Sequence, residues 1–189
     1  MALGFKALAS VCFVAVALLW PAPGWVGIAF RGAFIASLLG DVLLGGPDKP
    51  RRLLLGAAAF AVAHVLFTIG FVASTTRVGA PAVLVGLITI SLAVLAASRL
   101  TAVAGRFRPL VLVYGVAVTV MAVTAVTAGF DHGAYGIILG GLTFLASDLL
   151  VARGMFGRQD ALNDLLGLPL YYAAQLVLAF SASLLAGRA

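Results

Sequence analysis

Seven long, uniformly apolar runs separated by short polar stretches make up the pattern of this chain. The first covers about 3–20 and breaks at Pro21-Ala22-Pro23-Gly24. The second, about 25–45, ends at Gly45-Gly46-Pro47, with Asp48, Lys49, Arg51 and Arg52 behind it. A third occupies about 53–74, and Arg77 and Pro81 mark a short turn before a fourth, about 80–98. A basic loop with Arg99, Arg106 and Arg108 leads to a fifth run, about 109–129. The stretch from Gly129 to Gly133, holding Asp131 and His132, reads as a tight turn. The sixth run is about 134–152, and after Arg153, Arg158, Asp160 and Asp164 comes the last, about 165–186. Each run is near the ~20 residues that a helix needs to cross a bilayer. Uniform apolarity excludes a closed β-barrel, whose strands alternate. In lipid a helix satisfies its own backbone, so the pattern predicts an all-α polytopic bundle of about seven spans. Residues 1–189 form a single transmembrane domain in this reading. The first run, with Lys6 near its start, is read as a retained span; a cleaved signal peptide is the alternative.

Composition strengthens the membrane assignment. Hydrophobic residues make up 63%, charged ones only 10%, and the mean hydropathy is +1.19. Soluble domains carry about 25% charged residues. A net charge of +6 would suggest nucleic acid in a soluble protein. Here the basic residues gather in short loops, so no nucleic-acid partner is expected and the surroundings are membrane lipids. The expected location is the cell membrane, multi-pass. The single Cys12 permits neither an internal disulfide nor a cysteine-based zinc site. The chain has no glutamate, so its six aspartates are all the side-chain carboxylates it possesses.

Loop charge also orients the bundle. Lys6, Lys49, Arg51, Arg52, Arg99, Arg106, Arg108, Arg153 and Arg158 fall on one side, against Arg77, Arg188 and a snorkelling Arg31 on the other. The positive-inside rule then predicts a cytoplasmic N-terminus and an outside C-terminus. At about 1.5 Å per residue, Asp41 and Asp148 both lie about one turn inside the cytoplasmic ends of parallel helices. Lys6, Tyr171, Tyr172 and Gln175 belong to the same half, and His64 is nearer mid-membrane.

These residues are the candidates for chemistry. A carboxylate in hydrocarbon costs roughly 2.5–3.5 kcal/mol on insertion scales, so Asp41 and Asp148 are functional by default. Each also has a structural reading: a helix-end residue reaching the interface, or for Asp41 one half of an ion pair with Lys6 or Arg31. His64 is by base rate an interior hydrogen-bonding residue. With no histidine at i+4 and His132 in an outer turn, a multi-histidine zinc site is not expected, and the predicted metal set is none. Tyr171 and Tyr172 suit an aromatic belt. Gln175, one turn from Tyr171, needs partners in the bundle. Lys6 is most simply a topology anchor. Neither GxSxG nor a P-loop occurs. Gly4, Gly40, Gly140 and Gly141 read as close-packing positions between helices.

Five blocks in order resemble the lysoplasmalogenase family, the YhhN-like membrane proteins: Phe5-Lys6-Ala7-Leu8, Ser37-Leu38-Leu39-Gly40-Asp41, Phe60-Ala61-Val62-Ala63-His64-Val65-Leu66-Phe67, Phe144-Leu145-Ala146-Ser147-Asp148 and Pro169-Leu170-Tyr171-Tyr172-Ala173-Ala174-Gln175. The first block has Ala7 where the family has proline. Family members usually carry a further helix ahead of the lysine, so this chain is expected to have seven spans rather than eight. The resemblance implies an ether-bond hydrolase with no cofactor, acting on a lysophospholipid substrate. It would cleave the vinyl ether of lysoplasmalogens to a fatty aldehyde and a glycerophospho-head group. Vinyl ethers hydrolyse by protonation at carbon, which needs one protonated acid and one negative group to stabilise the cation. Two carboxylates in different environments can supply both. Asp41 and Asp148 are the expected catalytic pair, with neither assigned as the acid. His64, Tyr171, Tyr172, Gln175 and Lys6 are expected to support them or to bind substrate. Head-group phosphate is expected near Arg51, Arg52 and the 153–158 loop. Two other readings remain open here. One is a small transporter or lipid carrier using the aspartates as a proton relay; the other is a scaffold whose aspartates only pair helices.

Overall fold

Helical hydrogen bonding absorbs nearly the whole backbone, as it must where no water competes for it. The structure, a computed structural model, describes residues 3–20, 22, 24–45, 50–157 and 161–186. Seven α-helices follow in order: α1 (Leu3–Leu19), α2 (Gly24–Leu44), α3 (Pro50–Ser74), α4 (Ala80–Val103), α5 (Arg108–His132), α6 (Tyr135–Phe156) and α7 (Ala161–Ser181). Short 3₁₀ turns at Gly105–Phe107 and Ala182–Ala186 extend α5 backwards and α7 forwards. No strand occurs among the described residues. Lys49, Arg158 and Arg188 of the expected charge pattern, with Asp48 and Asp160, lie outside them.

Six helices, α2 to α7, are long and apolar enough to cross a membrane. Helix α1 has 17 residues, about 26 Å at 1.5 Å per residue and so shorter than the ~30 Å hydrocarbon core.

Several helices outrun their apolar stretches. Helix α3 starts at Pro50, α4 runs on to Val103, α6 to Phe156, and α7 begins at Ala161. Arg51, Arg52, Arg99 and Arg153 therefore stand on helical turns rather than in loops. Hydropathy falls at the first charge, whereas a helix continues into the interface, where long cationic side chains reach water. At the other end α5 continues through Gly129 to His132, and Gly133 (φ 67, ψ 20) provides the left-handed cap. The expected turn at 129–133 thus shrinks to its last residue. Asp131 there accepts from the backbone N–H of Thr76 (2.6 Å) and Arg77 (3.2 Å), tying the α3–α4 turn to the end of α5.

The helices close into a ring. Neighbours in contact run α1–α2–α3–α5–α6–α7 and back to α1, while α4 packs outside on α5 and α6. Small residues set the spacing. A Cβ on Gly40 would meet the Phe60 ring at 2.5 Å, and one on Gly70 would meet Phe30 at 2.8 Å. A Cβ on Gly140 would meet Leu178 at 2.7 Å, and one on Gly141 would meet Ala125 at 2.6 Å. Gly4 differs from the expectation: a Cβ there meets open space. Phe30, Phe34, Phe67 and Phe71 fill the ring in the half remote from Lys6, with Phe34 edge-on to Phe67 at 5.0 Å.

Candidate functional site

All six ring helices turn polar side chains inward in the half of the bundle that holds Lys6. Ser10 comes from α1, Ser37 and Asp41 from α2, His64 from α3, Tyr114 from α5, Asp148 from α6, and Tyr171 and Gln175 from α7. In lipid the alternative for such groups is an unsatisfied polar atom in hydrocarbon, so inward placement is the low-energy arrangement.

Asp41 sits in a cage of hydroxyls. Its Oδ2 accepts from Ser10 Oγ at 2.6 Å and from Tyr171 OH at 2.7 Å. Gln175 Nε2 donates to the Tyr171 hydroxyl at 3.1 Å, one turn along α7, and so fixes its orientation. The Phe60, Phe144 and Phe13 rings stand edge-on to Tyr171 at 5.7, 5.5 and 6.2 Å. Ser10 also approaches the Lys6 carbonyl at 2.8 Å, but its single proton serves one acceptor at a time. Tyr172 OH donates to the same carbonyl at 3.3 Å. The Lys6 ammonium and the Asp148 carboxylate both lie within coulombic range of Asp41.

Asp148 has a different cage. Tyr114 OH donates to its Oδ2 at 2.9 Å, and His64 Nε2 lies 3.1 Å from the same oxygen. His64 Nε2 is also 3.1 Å from Tyr114 OH, which closes a triangle. The imidazole is fully buried and edge-on to Phe144 at 5.0 Å. The Asp148 side chain keeps 11% of its exposure, and that residue of exposure faces a groove.

The groove is a cavity of about 90 Å³ between α3, α4, α5 and α6. Its walls are almost wholly apolar, among them Ala57, Phe60, Ala97, Val118, Leu145 and Leu149; Asp148 and Tyr114 bring polar groups to it. Helices α3 and α4 barely touch, and the groove lies between them. Leu53, Leu100, Leu110, Ala152 and Phe156 line it toward the charged face. Arg52, Arg99 and Arg153 are their immediate chain neighbours. Among the described residues no three His, Cys or Asp side chains converge as metal ligands.

Buried carboxylates at this depth, with the ordered blocks around them, agree with one comparison. The YhhN family profile matches residues 1–182. The chain belongs to the YhhN family. This is the family of lysoplasmalogenase-like membrane proteins. No curated protein and no solved structure matches the chain.

The seven residues singled out from the sequence divide in two within this YhhN-family bundle. Asp41, Tyr171 and Gln175 form one network, with Tyr172 and the Lys6 backbone at its edge. Asp148 and His64 form the other. The carboxylates share no hydrogen-bond partner and interact through space. Tyr114, Ser10 and Ser37 were missed. Tyr114 carried one usable signal: it lies in an otherwise polar-poor span, about two turns from the basic end, the depth at which Asp148 sits. Serines in apolar helices carry no such signal, because their hydroxyl can bond back to the preceding turn.

Proposed function

We propose that this YhhN-family protein is a membrane-embedded hydrolase that cleaves the vinyl ether bond of lysoplasmalogens, with Asp148 as the acid and Asp41 as the counter-charge. The observation that carries the reading is the position of Asp148: a hydrogen-bonded carboxyl group in the wall of an apolar groove between α3, α4, α5 and α6. Walls of this apolar character suit an alkyl chain. The arginines on the turns beside its outer end suit a phosphate head group. A single-chain ether phospholipid combines these features, and its vinyl ether lies between head and tail.

The chemistry follows from the two cages. Tyr114 and His64 both engage Asp148 Oδ2, leaving Oδ1 as the oxygen able to present a proton to the groove. Transfer of that proton to the outer alkene carbon leaves an oxocarbenium ion at the carbon bonded to oxygen. Asp41 does not line the groove; it lies within coulombic range of Asp148 and acts from there as the counter-charge, in a low-dielectric interior where such interactions are strongest. Water adds to the cation and returns one proton to the Asp148 carboxylate, and the hemiacetal collapses to the aldehyde as its hydroxyl proton passes to the departing glycerol oxygen. General acid catalysis of this kind contributes typically 10²–10⁴-fold. The orientation proposed is N-terminus in the cytoplasm, so the lipid comes from the inner leaflet of the cell membrane. The phenylalanines that fill the remote half of the ring argue against a polar path from one side to the other, and so against a transporter.

The test is a panel of vinyl-ether, alkyl-ether and acyl lysophospholipids given to the purified protein, with aldehyde and fatty acid measured separately. Aldehyde from the vinyl ether alone supports the reading. Fatty acid release without aldehyde, or no product from any lipid, overturns it.

A further inference from the structure

Three fully buried side-chain atoms have no partner within hydrogen-bond reach among the described residues: Ser37 Oγ, His64 Nδ1 and Gln175 Oε1. Buried polar atoms are nearly always paired, so each needs an explanation. They share one depth. Ser37 is one turn before Asp41 on the buried face of α2, and Gln175 is one turn beyond Tyr171 on α7. The two helices are joined by the Tyr171–Asp41 hydrogen bond. Glycine contacts fix the α2–α3 register: Gly40 faces Phe60, Gly32 faces Leu66 and Gly70 faces Phe30. In that antiparallel register Ser37 falls opposite Ala63 and His64. All three atoms thus belong to the ring interior, one turn deeper than Asp41.

We infer that Ser37, His64 and Gln175 form a binding site for one buried water that holds His64 in the tautomer protonated at Nε2. The hydrogen-bond inventory fits. Gln175 Oε1 can only accept, His64 Nδ1 in this tautomer accepts, and Ser37 supplies an O–H. One water donating to the two acceptors and accepting from the serine satisfies all three, within the two to four partners that a buried water requires. A direct Ser37–His64 bond would leave Gln175 unpaired. Which nitrogen of a histidine carries the proton is set by the bond that the other nitrogen makes. A water on Nδ1 leaves the proton on Nε2, pointing at Asp148 Oδ2 beside the Tyr114 hydroxyl. Ser37 and Gln175 are then positioning residues for Asp148, acting through His64. In that last step the inference rests on the hydrolase reading; the water site itself does not.

The decisive experiment is ¹⁵N NMR of the detergent-solubilised protein with labelled histidine. His64 is assigned by its presence in a His132→Gln variant. The wild type is expected to show a protonated Nε2 and a hydrogen-bonded, unprotonated Nδ1. In Ser37→Ala the Nδ1 signal should move and the second tautomer should appear. A wild-type His64 protonated at Nδ1, or an Nδ1 signal unchanged in Ser37→Ala, overturns the inference. Gln175→Met repeats the test from the third corner. Thermal denaturation gives an independent sign: loss of a shared water lowers the Tm of Ser37→Ala by roughly 2–4 °C for a chain of this size, whereas removing a truly orphaned hydroxyl raises it. If the wild type shows this tautomer yet makes no aldehyde, the water site stands and the hydrolase reading fails. If aldehyde is made, Ser37→Ala should lower kcat severalfold with KM unchanged, which a change confined to lipid binding would not do.

Discussion

Replacing Tyr114 by phenylalanine removes one oxygen from the centre of the proposed mechanism and little else. The ring stays edge-on to His64, whose centroid lies 5.3 Å away, so packing survives. What goes is the 2.9 Å hydrogen bond to Asp148 Oδ2. Bonds to a charged group contribute about 1.5–3 kcal/mol, against about 0.5–1.5 for neutral pairs. Asp148 is neutral before it gives up its proton and a carboxylate afterwards, so about 1–1.5 kcal/mol of this is felt only in the transition state, and kcat falls by roughly 5–13-fold at 1.36 kcal/mol per decade. KM should change little, because the hydroxyl orients the acid rather than the lipid. Tyr172→Phe is the internal control. It also loses one hydroxyl, but that group is half-buried and donates to a backbone carbonyl at 3.3 Å, so turnover should drop no more than about threefold. The assay is aldehyde release from a vinyl-ether lysophospholipid in detergent, with circular dichroism to show that both variants are folded. Equal rates for Tyr114→Phe and wild type would refute the assignment of Asp148 as an acid oriented by Tyr114.

Asp148→Asn and Asp41→Asn should each cut aldehyde release by about 10²-fold or more while the protein remains helical; a variant with near wild-type turnover removes its aspartate from the mechanism. Gly115 lines the groove, and a Cβ there meets nothing within 4 Å. Gly115→Leu should therefore fold normally and raise KM for long-chain lysolipids by about tenfold, with short chains least affected, since each buried methylene is worth about 0.8 kcal/mol. A uniform effect across chain lengths would separate the groove from the substrate tail. Gly40→Ala forces a methyl to 2.5 Å from the Phe60 ring, which should cost about 1–3 kcal/mol and lower the melting temperature in detergent; an unchanged melting point would mean that α2 and α3 are less tightly packed than the structure has them.

Much of this architecture was legible in the runs of apolar residues, because the bilayer leaves helices as the one backbone solution for such segments. Helix ends were not. Arg52, Arg99 and Arg153 stand on helical turns that hydropathy had assigned to loops, since the hydrophobic signal stops at a charge and the backbone does not. The depth of Asp41, Asp148, Tyr171 and Gln175 also followed from counting residues along alternating helices. Their grouping did not follow. Which carboxylate meets Tyr171 and which meets His64 depends on the order of helices around the ring, and α4 leaves that ring although it lies mid-sequence. The depth of Tyr114 could be counted along its span, but its pairing with Asp148 and His64 depends on α5 standing between α3 and α6.

The most direct test of the central claim follows the proton. Hydrolysis of a vinyl-ether lysophospholipid by the purified protein in D₂O, with the aldehyde trapped by reduction as it forms, reads out where hydrogen from solvent is placed. Protonation at carbon predicts one deuterium on the carbon next to the aldehyde, in wild type and at the same position in the residual product of Asp148→Asn. An aldehyde without deuterium at that carbon, or no aldehyde at all, would contradict the account.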